Sequence, residues 1–382
     1  MNVKLIGIGA AGNKAAINAV ENSVIAMDNV MLINSTLRDI PADYKGLKIE
    51  YAGAYRGCGK ERGIAYDLAK NNLLEGNIPL EEFLCVNDPE KKAHLVVIVT
   101  STEGGTGSGS SILIGQYIQS RFGIQVHMFG FAGFHTDPRG LKNTVEWFQG
   151  ITPEFAVECI ENSKFLPECR NNKLKAETAA NVEFGKKLGI LMGNPIRDSS
   201  HNIDETDLLK IVKTPGFTII ESANFEKVKN REQFEEIVIN MIDESKSFDV
   251  ADITSKRTAV IININAASTD YISYEDIIRE RYGTSFENYL HIQHEADMPE
   301  FIAVIVAGIK MPAEQVQRVY NEYKTSNEQV DRVKDNFFAS SQKLELDDDF
   351  DMVASENNTM SDEDFFASLS KKPVKKDKIS EY

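Results

Sequence analysis

Basic charge is in deficit in this sequence: 42 Lys and Arg stand against 58 Asp and Glu, a formal net charge of -16. That balance excludes a broad nucleic-acid-binding face, which needs clustered Lys and Arg to neutralise phosphates. Any DNA partner would be reached through another protein. Cysteine is scarce too, and Cys58, Cys85, Cys159 and Cys169 form no CxxC pair, so neither a zinc site nor a redox dithiol is indicated and a reducing compartment suits them. No apolar run reaches the ~18 residues of a membrane span. The apolar start is interrupted by Lys4, Asn13 and Lys14 and lacks a small-residue cleavage site, so the expectation is a cytoplasmic chain with no membrane span. Also missing is any GxxxxGK[ST], which removes the P-loop lysine from the ways a phosphate could be held. What remains, 42% apolar and 26% charged residues in a chain of 382, is ordinary for a globular protein long enough for two domains.

Short apolar runs at Val3 to Ile8, Val30 to Ile33, His94 to Thr100 and Val126 to Phe131 alternate with helical patterns, the rhythm of an α/β parallel sheet with crossover helices. From Lys173 to Met192 the chain has no proline and is apolar or small around much of its circumference, which predicts a buried helix. Beyond Pro195, strands are expected at Gly216 to Glu221, Arg257 to Ala266 and Glu300 to Ile309, with amphipathic segments at Arg231 to Met241 and Tyr274 to Tyr282. This reads as a second, smaller α/β domain. After Pro312 a stretch of strong helix formers predicts one long, exposed helix with few core residues. The tail is acidic from Glu345 to Asp364 and then basic from Lys371 to Lys378, a pattern that normally stays disordered. The predicted divisions are 1–172, a helix at 173–193, 194–310 including a loop at 200–208, a helix at 311–343, and a tail at 344–382.

Gly7, Gly9 and Gly12 in VKLIGIGAAG fit G-x-G-x-x-G after a strand, which alone would suggest a nicotinamide-dependent oxidoreductase. Such a site also wants an acidic residue at the end of the second strand to hold ribose hydroxyls; that strand ends Ile33, Asn34, Ser35, and Asp28 lies before it. The second loop, Gly104, Gly105, Thr106, Gly107, Ser108 and Gly109 after VVIVTSTE, makes another phosphate nest of backbone N–H groups. Its bland alternative is a tight turn that packs helix on sheet.

GGTGSG resembles the signature loop of the tubulin and FtsZ superfamily, and GIGAAGNKAAINA resembles the first nucleotide loop of FtsZ. The resemblance implies a tubulin/FtsZ-like fold with a GTP/GDP and Mg2+ site at the carboxyl edge of the first domain. Gly9, Ala10, Ala11, Gly12 and Asn13 would form its first loop, Asn34 would belong to the second, and Gly57, Cys58, Gly59 and Lys60 to a third beside the γ-phosphate. Guanine would fall to Asn171 and Asn181, which considered alone read as caps or solvated side chains. Asp137, Arg139 and Asn143 stand where the family has its ribose loop, whose usual motif is absent. Glu103 replaces a usual glycine and would place a negative charge near the triphosphate unless it points away.

SHNIDETDLLK carries Asn202, Asp204 and Asp207, matching the N-x-D-x-x-D loop of FtsZ. In that family the loop inserts into the next subunit's nucleotide site, so the resemblance implies a GTPase completed by head-to-tail self-assembly, with Asp204 and Asp207 orienting water. The same residues would otherwise read as the capped, acidic start of a helix. The divergent ribose loop, the long final helix and the tail resemble TubZ-type proteins of plasmids and phages, implying filaments that move DNA through a DNA-bound adaptor. Asp364, Phe365, Phe366 and Leu369 are the adaptor-contact candidates. A division role like that of FtsZ is the alternative.

Overall fold

The computed structural model describes residues 1–197, 203–226, 228–250, 254–265, 275–283 and 285–340. In chain order the elements are β1 (Val3–Ile8), α1 (Gly9–Glu21), β2 (Val30–Asn34), β3 (Leu47–Glu50), α2 (Arg62–Leu74), α3 (Leu80–Phe83), β4 (Leu95–Ser101), α4 (Gly105–Phe122), β5 (Gln125–Ala132), α5 (Pro138–Gly150) and β6 (Ala156–Glu161). The chain continues with α6 (Lys173–Leu191), α7 (Glu205–Val212), β7 (Gly216–Phe225), α8 (Arg231–Asp243), β8 (Arg257–Asn263), α9 (Glu275–Tyr282), β9 (Glu287–Gln293), β10 (Glu300–Ile309) and α10 (Ala313–Ser340).

All ten strands form one sheet in the order β3-β2-β1-β4-β5-β6-β7-β10-β8-β9. Alternate residues feed the two faces, as the period of a strand requires. On β1, Ile6 and Ile8 join a core built with α2, α4, α5, α8 and α10, whereas Val3 and Leu5 join one built with α1, α6 and α7. Strands β1 to β6 are mutually parallel. The chain departs from β1 first toward β2 and β3, then returns to β4 on its other side. The carboxyl ends of β1 and β4 are therefore the switch point at which doubly wound sheets bind ligands.

The strands expected after Pro195 continue this same sheet rather than building a separate one. β6 and β7 touch through only two register pairs, Ala156 with Gly216 and Val157 with Phe217, so the two halves join along a narrow seam. β10 then runs antiparallel to both β7 and β8. Three strands carried no clear sequence signal. β3 is short and polar, and β9 is an edge strand of mixed polarity. β6 contains Glu158 and Glu161 yet is buried along its whole length.

Helix α6 is less uniformly buried than its composition predicts. Ala176, Ala180, Phe184 and Leu188 face the core, while Leu174 is 70% exposed. Its buried face also carries Lys187, whose Nζ lies 2.7 Å from Glu158 and 3.1 Å from Glu221 and donates to Ser247 Oγ. This explains Glu158 on a buried strand: each charge is tolerable inside only because the others compensate it. Helix α10 differs as well. Its first half lies on α5, with Val319 buried and Val316, Tyr320 and Tyr323 packed against the core, a stripe at helical spacing.

Candidate functional site

β1 and β4 are hydrogen-bonded neighbours, Ile8 opposite Thr100, and both lead into a helix at the same edge of the sheet. α1 starts at Gly9 with no side-chain cap on its first turn, and α4 starts at Gly105, likewise uncapped by a side chain. Two sets of orphan N–H groups and two positive dipole ends thus meet at one place, which is the physical requirement of an anion site.

The glycines hold this arrangement together by close packing. Gly9 has φ +74°, and a Cβ there would approach the Gly107 nitrogen to 3.0 Å. A Cβ on Gly107 would meet Thr100 Oγ1 at 2.0 Å, one on Gly12 the Val99 carbonyl at 2.2 Å, one on Gly105 the Lys60 Cα at 2.7 Å, and one on Gly109 the Arg62 carbonyl at 2.4 Å. Gly104 alone in the run has open space before it, its nearest neighbour being Ser101 at 3.9 Å. The loop thus packs its helix tightly on the sheet while leaving Gly104 open.

The cavity above these helix starts has a volume of about 430 Å³, within the range of small-molecule sites. Of the residues singled out from the sequence, Gly9, Ala10, Ala11, Asn34, Gly57, Cys58, Gly59, Lys60, Gly104, Gly105, Thr106 and Gly107 line it. Gly12 and Gly109 are packing residues behind it. Ser108 turns its hydroxyl back to the Gly104 carbonyl. Asn13 is fully buried in α1, and both of its amide atoms lack a hydrogen-bond partner. An orphaned buried amide beside two open helix starts is what a missing polar ligand or water would leave.

Asp137, Arg139 and Asn143 do not line the cavity; they clamp the loop that does. Asp137 caps α5 through the Arg139 and Gly140 nitrogens and binds the Lys60 ammonium. Burial works to raise the Asp137 carboxyl, but Lys60 and the two backbone N–H groups overcome it and hold it below the usual carboxylate range. Arg139 donates to the Gly59 carbonyl at 3.3 Å and pairs with Glu61 at 2.8 Å. Asn143 donates to the Lys60 and Glu103 carbonyls, both at 3.0 Å.

Glu103 points away from the cavity. Its carboxylate lies under Gly133, where a Cβ would come within 2.0 Å of it, and accepts from the His135 N–H at 3.2 Å. Burial raises its carboxyl above the usual range, against the pull of His135. The charge expected to oppose a triphosphate is thus turned beneath the α5 loop.

Asn171 is exposed, with φ +58°, and the neighbouring Asn172 caps α6 through Lys175 N. Asn181 is half-buried within α6, and neither Asn171 nor Asn181 lines the cavity. Sequence reasoning missed Ser35, Thr36, Asp39, Arg56 and Ser101, which do line it. Ser35 Oγ lies 2.7 Å from Thr106 Oγ1, and Asp39 accepts from the Asn34 amide at 3.1 Å. These polar loop residues belong to no spacing motif; the only available signal was their nearness to strand ends.

Asp204 and Asp207 lie at the other edge. Glu205, between them in sequence, places its carboxylate 2.9 Å from the Met1 amino group and 3.6 Å from His94 Nδ1, and those two residues precede β1 and β4. The length of six-residue β1, about 20 Å at ~3.3 Å per residue, separates that edge from the cavity. Asp204 caps α7, accepting from Asp207 N at 2.8 Å, and Asp207 pairs with Lys210 at 3.2 Å. Asn202, with residues 198–201, lies outside the described residues.

Topology and site together define a doubly wound α/β sheet, with a cavity at its switch point, extended by a second half. Its particular form is the tubulin/FtsZ fold. TubZ from Bacillus thuringiensis serovar israelensis, solved as a GTPγS-form protofilament, is similar at TM-score 0.72 and 17% identity, covering 89% of this chain and 95% of that one. TubZ of Clostridium botulinum phage c-st gives 0.68 and 15%, with 86% and 99% covered. CetZ2 from Haloferax volcanii, a GTPγS-bound protofilament, gives 0.69 and 14%, with 86% and 100% covered. No protein-family model matches the sequence.

Proposed function

We propose that the protein binds GTP at the carboxyl edge of its sheet and hydrolyses it when Asp204 and Asp207 of a second copy reach that site. One observation carries this reading: the cavity and the two aspartates occupy opposite edges of the same sheet, joined through β1 and β4. One chain cannot bring them together, but a head-to-tail stack would do so at every junction. Similar folds in guanine-nucleotide-bound protofilaments, and in a two-stranded TubZ filament, support it.

Within a junction, the N–H groups opening α1 and α4 would bind the phosphates and stabilise charge that develops there. Asp204 and Asp207 would orient the attacking water and take up its proton. Among the described residues no group of three His, Cys, Asp or Glu side chains could hold a metal by itself. The expected magnesium would be held by phosphate oxygens together with hydroxyl or carboxylate oxygens of the lining, Thr106, Ser35 and Asp39 among them; bound there, it would neutralise phosphate charge.

We assign the work of the filament to moving plasmid or phage DNA through a DNA-bound adaptor, on the sequence resemblance to TubZ-type proteins. The adaptor-contact candidates at 364–369 lie outside the described residues. Among those residues, no helix is long and apolar enough to cross a membrane.

Sedimentation and phosphate release with GTP and magnesium test the reading, using Asp204→Asn and Asp207→Asn. Asparagine caps a helix as well as aspartate does, so it removes charge without unravelling α7. Wild type should pellet and release phosphate, while both variants should pellet with hydrolysis slowed at least about tenfold. A wild type that stays monomeric at high concentration with GTP would refute the proposal.

A further inference from the structure

We infer that Glu322 of α10 keeps the nucleotide cavity open by holding Glu103, through His135, away from the start of α4; this rests on the nucleotide reading given above. Glu103 directly precedes Gly104, the N-cap of that helix, which supplies no side-chain cap of its own. Ser101 and Gly104, on either side of it in sequence, both line the cavity. A free carboxylate at this position is drawn to the same orphan N–H groups and positive dipole end that would hold a phosphate. Glu103 is thus a competing anion built into the chain.

Three features hold it elsewhere. Gly133 and Gly140 leave the slot that takes the side chain: a Cβ on Gly133 would meet Glu103 Oε2 at 2.0 Å, and one on Gly140 the Glu103 Cβ at 3.2 Å. The His135 N–H donates to Oε1 at 3.2 Å, from a backbone with φ +55°, a conformation that a residue with a side chain keeps where its surroundings impose it. The imposing contact comes from α10. His135 Nδ1 lies 3.0 Å from Glu322 Oε2, and since a carboxylate only accepts, the ring donates. The other ring nitrogen is buried without a partner, so among the described residues Glu322 is the polar contact that fixes the ring. The next residues are held otherwise, Thr136 by Lys173 at 3.2 Å and Asp137 by Lys60. Burial opposes the charge of Glu103, so the slot keeps the carboxylate only while these contacts last. The Glu103 side chain is the two-state element: in its slot the helix start is free, and out of it the helix start is filled. Whatever lifts the first half of α10 from α5 takes Glu322 from His135 and closes the cavity to phosphate.

The test is equilibrium titration of the full chain with a fluorescent GDP analogue, comparing wild type, Glu322→Ala, Glu103→Gln and the double variant, with thermal midpoints measured alongside. Glu322 is 44% exposed, and glutamine at 103 keeps the shape and the acceptor for His135, so all four should fold. Glu322→Ala should weaken binding by about three- to tenfold, as for a site filled by its own carboxylate much of the time. Glu103→Gln should bind at least as tightly as wild type, and the double variant should bind within about twofold of Glu103→Gln, because an uncharged amide competes far less for the helix start. Unchanged binding by Glu322→Ala, or a loss that persists in the double variant, would overturn the relay and leave Glu322 a packing residue only. A wild type that binds neither GDP nor GTP would instead overturn the nucleotide reading, and this inference with it.

Discussion

Gly104 faces the cavity with nothing nearer than Ser101 at 3.9 Å, and it is the N-cap of α4 with ordinary φ -72°. A side chain there meets no steric objection, and aspartate is among the best capping residues. Gly104→Asp should therefore fold with an unchanged or slightly raised thermal midpoint. Its carboxylate would occupy the orphan N–H groups and stand against the phosphates, a repulsion of about 4 kcal/mol at ~4 Å and an effective dielectric of ~20. GTP affinity should fall by roughly three powers of ten, measured by titration. At Gly107 or Gly109 the same change would instead strike Thr100 or Arg62 and show itself first as lost stability. The residue letters named these glycines without separating the two roles. Only the built surroundings of each Cβ do that, and only they turn Glu103 away from the cavity.

At the scale of elements, β5 is tied to α7 by His127, whose Nδ1 donates to the Val212 carbonyl at 3.1 Å, the last residue of the helix that Asp204 opens. Burial holds the imidazole down to about 4, although the bond to Val212 works the other way. The folded pKa is thus depressed below the unfolded value of about 6.5, and unfolding takes up a proton between those limits. Stability from this group is full above pH ~6.5 and lost as pH falls toward ~4, by at most about 3 kcal/mol. Thermal melts at pH 7 and 5 should show the loss, and His127→Gln, which keeps a donor, should flatten it. The apolar runs of β1, β2, β4, β5 and β10 were legible because buried parallel or central strands read as continuous hydrophobic stretches. β6 was not, since Glu158 is neutralised by Lys187 from the far part of α6, beyond the reach of any local pattern. The stripe of α10 is likewise visible in sequence, but not its partner α5.

For the whole molecule, the proposed pairing of half-sites on opposite edges makes a prediction that no single-chain active site shares. On that proposal Gly104→Asp lacks the nucleotide half, and Asp207→Asn lacks the acidic half. Each alone should hydrolyse GTP slowly. Mixed in equal amounts, random head-to-tail stacking pairs an intact cavity with an intact Asp207 at about a quarter of junctions, and phosphate release should recover toward that fraction of wild type. If both halves acted within one chain, the mixture would be as slow as its components.

The buried strands β1, β2, β4 and β5 with the helices between them, the two glycine starts and the acidic loop are determined by the sequence itself. Local propensity, turn chemistry and periodicity act over a few residues and leave their mark in the letters. Which residues share the cavity, which glycines serve packing, where Glu103 points and what Lys60 is bound to were decided by tertiary structure alone. Those outcomes depend on segments such as Arg56 to Glu61, Glu103 to Gly109 and Asp137 to Asn143 meeting across 40 to 83 positions of chain. No local pattern encodes such meetings, because the sheet that arranges them forms only when the whole chain folds.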